Sequence, residues 1–165
     1  METRPGVGDA PLIDERIAKR SERSIEGLSP MSPVGVPVDA PGVRLALSLH
    51  APNQELRQRI VPTASAWPLD RLMEVMDAFV AESPPARNGT SVLIEYVVIG
   101  GVNDSKELAH ELANLLKDRP VLVNLIPYNP TDVPENYVPP TDEAVDAFHS
   151  ILRSYGLFAT VRREM

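Results

Sequence analysis

Cysteine is missing from all 165 residues of this chain. That absence excludes a disulfide framework, a thiolate zinc site and a cysteine-held iron–sulfur cluster built from this chain alone, and it leaves the redox compartment open. An excess of basic charge is missing too. The formal net charge is -7, whereas a free-standing nucleic-acid binder needs clustered Lys and Arg to release counterions from phosphates. No apolar run approaches the roughly 20 residues of a membrane-spanning helix, and no basic-then-apolar secretory signal opens the chain. The default expectation is a cytoplasmic protein, with an organelle as the other compartment this reading allows, and no membrane partner. The motifs of several chemistries are lacking as well: there is no Walker A loop, no G-x-G-x-x-G fingerprint and no G-x-S-x-G elbow. His50, His110 and His149 have no metal-like spacing, so no metal is assigned.

What is present suits one globular core, with 43% hydrophobic residues in a length typical of a single domain. Residues 1–40 differ from the rest: Pro5, Pro11, Pro30, Pro33 and Pro37 interrupt them, and one possible helix falls at 12–25. They read as a poorly ordered, proline-rich leader before a domain at 41–165.

Beyond the leader, short runs rich in Val, Ile and Leu alternate with amphipathic stretches. The runs at 43–49, 92–99, 121–126 and 158–161 read as parallel strands covered on both faces. Between them, 68–81 presents Leu69, Leu72, Val75, Met76 and Phe79 on one helical face. The stretch 105–117 reads as a helix entered through Asp104, with Glu107 completing a capping box. Thr141 caps a third helix, whose stripe is Ala144, Val145, Phe148, Ile151, Leu152 and Tyr155 and whose end is Gly156. The fold class is therefore α/β with parallel βα repeats. The pattern fits either a doubly wound sheet or an arc of a β/α barrel, and in both cases ligands gather at the C-terminal strand ends.

Those ends carry Ser48-Leu49-His50 after the first strand, Gly100-Gly101-Val102-Asn103-Asp104 after the second and Pro127-Tyr128-Asn129-Pro130 after the third. Each has a bland reading: a satisfied hydroxyl and a loop imidazole, a capped helix start, and an Asn-Pro turn. Asn103 or Asp104 could reach a ligand, although capping explains Asp104 as well. Glu95, inside a strand, needs a partner or a wet interior, and a structural salt bridge is the expectation. Polar positions on three successive strands would nevertheless converge on one site.

The segments Leu45-Ala46-Leu47-Ser48-Leu49-His50-Ala51-Pro52-Asn53, Ile60-Val61-Pro62, Glu95-Tyr96-Val97, Gly101-Val102-Asn103-Asp104 and Asn124-Leu125-Ile126-Pro127-Tyr128-Asn129-Pro130 resemble, in order and spacing, the radical-SAM 23S rRNA adenine-C2 methyltransferases and their C8-methylating resistance relatives. Ala159-Thr160-Val161-Arg162-Arg163-Glu164 extends the resemblance. It implies the C-terminal part of a radical-SAM partial TIM barrel, with Ser48, Leu49, His50 and Asn129 contacting S-adenosylmethionine. Ser32, in Met31-Ser32-Pro33-Val34-Gly35-Val36-Pro37, is a blurred match to a further cofactor-binding serine.

The family's C-x-x-x-C-x-x-C motif, its Gly-Glu-Pro loop, its RNA-binding accessory domain and its methyl-carrying cysteine have no counterpart here. The resemblance therefore implies a C-terminal half with a partial S-adenosylmethionine pocket, lacking the ligands of the family's [4Fe-4S] cluster and inactive alone. Its implied partners are 23S rRNA, tRNA and the missing half of the enzyme. The alternative is a non-catalytic α/β binding module that keeps a nucleoside rim or a protein-partner surface.

Overall fold

The computed structural model describes residues 45–82, 91–130 and 137–162. The leader, its possible helix and Ser32 lie outside the described residues. The apolar runs form β1 (Leu45–Ser48), β2 (Val92–Val98), β3 (Val121–Pro127) and β4 (Phe158–Val161). Between β1 and β2 come α1 (Gln54–Ile60), a 3-10 turn (Pro62–Ala66) and α2 (Leu69–Glu82). Helix α3 (Lys106–Leu116) joins β2 to β3, and α4 (Asp142–Ser154) joins β3 to β4.

All the strands pair in parallel, in the order β1-β2-β3-β4. A doubly wound sheet reverses its strand order at a switch point, and this sheet does not. Strictly sequential order with helical crossovers is the topology of a barrel arc, which resolves the choice left open by the sequence.

Burial departs from the expectation of strands covered on both faces. In β2, Val92, Ile94, Tyr96 and Val98 are buried whereas Leu93, Glu95 and Val97 are only half-buried, and β3 alternates in the same way. Sequential right-handed crossovers place the helices on one face of the sheet. That face is the core. Tyr96 of β2 meets Phe148 of α4 at 5.2 Å between ring centroids, and Leu112, Leu116 and Leu152 are fully buried from the helix side.

Helix boundaries follow their caps. Thr141 Oγ1 accepts from the Ala144 N–H at 3.2 Å, and Gly156 adopts φ 81° just beyond α4, as the sequence predicts. For α3 the cap is Ser105, whose hydroxyl accepts from the Leu108 N–H. Asp104 instead accepts from the Gly101 N–H at 3.0 Å and closes the preceding turn. The cap thus sits one residue later than expected, and Leu108 rather than Glu107 occupies the third helical position. Helix α1 has no counterpart among the predicted elements. Its N-cap is Asn53, whose Oδ1 accepts from Leu56 N–H at 3.0 Å, while its Nδ2 donates to Glu111 on α3.

Candidate functional site

The C-terminal end of β1 is built around His50. Its φ of 61° lies in the left-handed region, and it is the one non-glycine residue with positive φ among those described. That conformation is costly for a residue with a Cβ. Two contacts hold it. The Val97 N–H donates to His50 Nδ1 at 3.1 Å, and Asn103 Nδ2 donates to the His50 carbonyl at 2.9 Å.

The first contact fixes the imidazole chemically. A ring nitrogen that accepts from an amide carries a lone pair, so the proton of the neutral ring sits on Nε2. Burial pushes the pKa of His50 down, the charge of Arg57 pushes it further down, and Glu95 opposes both. His50 is therefore held neutral, with Nε2–H as its remaining donor.

Asn103 is fully buried. Besides His50 it donates to the Val97 carbonyl at 2.7 Å and accepts from the Ile99 N–H at 2.6 Å, while its own carbonyl takes the Tyr96 hydroxyl at 3.0 Å. It clamps the ends of β1 and β2 together from the core side. Its side chain is spent on backbone, so it is not the ligand contact that its loop position allowed.

Ser48 is exposed on the open face, aligned with Glu95 of β2. Leu49 has no exposed surface, and its N–H donates to the Glu95 carbonyl at 3.0 Å. It anchors the strand end from the core and presents nothing to solvent. Asn129 is exposed beyond the end of β3, where the Tyr128 N–H donates to the Val98 carbonyl at 2.8 Å. The fold thus brings Ser48, His50 and Asn129 to the same end of the sheet. Strands β1 and β3 are two positions apart, so the gap between these ends is roughly 10 Å, about the length of a nucleoside.

Sequence reasoning passed over Arg57. It is 5% exposed, donates from Nη1 to the Trp67 carbonyl at 2.8 Å, and has no partner for Nε among the described residues. Burial lowers its pKa. Position 57 sits in a short helix with no strong apolar period, so nothing local marked it as buried. Among the described residues Glu95 has no partner for the salt bridge expected of it; its Oε2 accepts from Asn124 Nδ2 at 3.0 Å, and Thr160 Oγ1 donates to Asn124 Oδ1 at 3.2 Å. The remaining histidines serve structure, His110 against the Tyr155 hydroxyl and His149 Nε2 against the Ala159 carbonyl, both at 3.0 Å.

The donor set does not fit an iron–sulfur cluster. The chain has no cysteine, and among the described residues no three His, Asp or Glu side chains are grouped to hold a metal ion. It does suit a polar, uncharged-to-zwitterionic organic ligand, with a hydroxyl, an imidazole N–H, a carboxamide and a carboxylate along one rim.

No protein-family model matches the chain. It is 43% identical over 141 residues to a probable dual-specificity RNA methyltransferase, RlmN, of Symbiobacterium thermophilum, covering 86% of this chain and 35% of that protein. Among solved structures, a radical SAM methyltransferase from Sphaerobacter thermophilus aligns with TM-score 0.69 and 43% identity, over 76% of this chain and 35% of that one. A domain of a pyruvate-formate lyase-activating enzyme from Bacteroides vulgatus aligns with TM-score 0.54 and 22% identity, over 72% of this chain and 66% of that one, a likeness of fold alone.

Proposed function

Because this chain belongs to the radical-SAM methyltransferase family and spans 35% of the length of the relatives it matches, we propose that it forms one wall of an S-adenosylmethionine pocket in an RNA-methylating enzyme whose catalytic thiols come from outside this sequence. The carrying observation is the rim at the C-terminal strand ends, where exposed Ser48, His50 with its lowered pKa and exposed Asn129 stand at one end of the sheet. Ser48, His50 and Asn129 contact the cofactor directly; Leu49 acts by holding the strand end.

S-adenosylmethionine supplies the methyl group when bound. The residues of this chain bind and orient it, and none of them is placed to break or form a bond. Without cysteine the chain can neither ligate a cluster by thiolates nor carry a methyl group on sulfur, so it is inactive alone. Its substrate is RNA, the class the relative's name gives, with 23S rRNA and tRNA the particular RNAs that the sequence resemblance implies, and its compartment is the cytoplasm. With a net charge of -7, the phosphate contacts come from outside this sequence.

Calorimetry of the full chain with S-adenosylmethionine tests the reading. Weak binding is expected, because one wall supplies only part of the cavity, and Ser48→Ala and Asn129→Ala should each weaken it further. Affinity unchanged in both variants would remove the rim from consideration. Absence of binding in the unsubstituted chain would favour a non-catalytic module that keeps only the fold.

A further inference from the structure

Facing away from the helices, the sheet carries a row of polar side chains at one level of its register. Ser48 of β1 aligns with Glu95 of β2, Glu95 with Asn124 of β3, and Asn124 with Thr160 of β4. The level toward the strand starts is apolar, with Ala46, Leu93, Leu122 and Phe158 in the same alignment. A polar row on an otherwise apolar face is a local expense that packing does not explain.

The hydrogen bonds within the row have a direction. The Thr160 hydroxyl donates to Asn124 Oδ1, which orients the amide so that Nδ2 points to Glu95 and donates to Oε2. The chain of donors ends on the Glu95 carboxylate. An ionised carboxylate accepts about four hydrogen bonds, and the row supplies Glu95 with one. No Lys or Arg pairs with Glu95 among the described residues. A half-buried carboxylate that is aimed, fixed and given one side-chain donor among the described residues is placed to receive donors from a ligand.

The surroundings select the kind of donor. The neighbours on the rim are the Ser48 hydroxyl and the His50 Nε2–H. Arg57 and Glu95 both act by charge on His50, in opposite senses, so the rim around His50 already feels one cation as well as the Glu95 carboxylate. That favours neutral O–H donors over a further ammonium group. Paired hydroxyls on adjacent carbons match a carboxylate, as they do where an acidic residue binds a ribose in dinucleotide folds.

We propose that Glu95 binds the ribose of a nucleoside ligand, its carboxylate accepting hydrogen bonds from the 2′- and 3′-hydroxyls while Asn124 and Thr160 hold it in place. This rests on the reading of the rim as a nucleoside-binding wall, and it adds to that wall a specificity-determining residue.

The test is an NMR titration of the full chain with adenosine and with 2′,3′-dideoxyadenosine. The unsubstituted chain should prefer adenosine by about tenfold or more, since a site built for hydroxyls rejects a ligand that leaves its acceptor unpaired. Glu95→Gln keeps the shape and an acceptor for Asn124 but removes the charge. It should bring the two affinities to within about twofold. Thr160→Val should reduce the preference in part. Adenosine binding with no preference for the hydroxyls, or a preference that survives in Glu95→Gln, would overturn the role of Glu95 and leave the rim standing. Failure of the unsubstituted chain to bind adenosine would overturn the nucleoside reading and this inference with it.

Discussion

Asn103 donates from Nδ2 to the carbonyl oxygen of His50 at 2.9 Å, across 53 positions of sequence. The contact links the loop after β2 to the end of β1 and holds His50 in its left-handed conformation. The same nitrogen donates to the Val97 carbonyl, and Val97 in turn donates its N–H to the His50 ring. One buried amide therefore controls both the backbone and the imidazole of a rim residue.

Removal of that amide should be severe. Asn103→Ala leaves the His50 and Val97 carbonyls and the Ile99 N–H without their partner, each buried orphan costing about 1–3 kcal/mol. The expected loss is on the order of 3–5 kcal/mol, a large share of the stability of a single domain. Urea unfolding measures it. A loss under about 1 kcal/mol would mean that the loop can turn these groups to water.

His50 should make stability depend on pH. Its folded-state pKa lies below its ordinary value, chiefly through burial and then through Arg57. The unfolded chain binds the proton more readily, so stability rises with pH across the window. The contribution is complete above the unfolded pKa of about 6.5 and is lost as pH falls below it. His50→Asn is the informative variant, because Asn tolerates the left-handed region and titrates nowhere. Unfolding midpoints between about pH 5 and 7.5 should flatten in this variant relative to the unsubstituted chain; an identical slope would assign the dependence to other groups.

The strands were legible because β-branched runs are local, and β2, β3 and β4 start where those runs start. The coverage of only one face was not legible, because Leu93, Val97, Leu122 and Ile126 are apolar yet lie on the half-buried face. Hydrophobicity records residue type, whereas coverage depends on what packs opposite. Helix α1, with seven residues, is too short to show a helical period, although Asn53 ahead of Gln54-Glu55-Leu56 was a usable cap signal. Of the rim, Ser48, His50 and Asn129 were found from their places at strand ends. The roles of Asn103, Glu95 and Arg57 depend on partners brought close by the sheet register or the loop after α1, which no local window contains.

The pair Arg119–Asp77 ties α2 to the turn entering β3, with Nε to Oδ1 at 2.7 Å and Nη2 to Oδ2 at 2.8 Å. Asp77 is pushed below the usual carboxylate range by the hydrogen bond from Arg119, against burial, with the charge of Arg119 assisting. Its contribution is thus present above the unfolded carboxylate pKa of about 3.9 and disappears as pH falls through the lower folded value. The aspartate is half exposed, so Asp77→Asn should cost only about 0.5–1 kcal/mol at neutral pH. A double-mutant cycle with Arg119→Gln should recover most of that as coupling energy. Zero coupling would reduce the pair to a surface contact.

Gly100 and Gly101 are adjacent, and each is required for a different reason. A Cβ on Gly100 would stand 2.5 Å from the Pro139 carbonyl oxygen and 3.0 Å from its carbon, both backbone atoms that cannot swing aside. At Gly101 there is nothing within 4 Å, but φ is 68°. Gly100→Ala should therefore act by steric exclusion. It pushes the 137–139 segment off the rim, breaks the bond from Gly100 N–H to the Val138 carbonyl, and costs about 1–3 kcal/mol. Gly101→Ala should cost about 1–2 kcal/mol through conformation alone, and Gly101→Asn less than that, because Asn visits the left-handed region more easily. The two effects separate spectroscopically. The edge-on ring pair Tyr128–Tyr137, 5.9 Å between centroids, reports the position of the segment, so its NMR signals should shift in Gly100→Ala and stay in both Gly101 variants. Equal shifts in all three would mean that the turn and the segment move as one unit and that the contact at Gly100 is not what holds them.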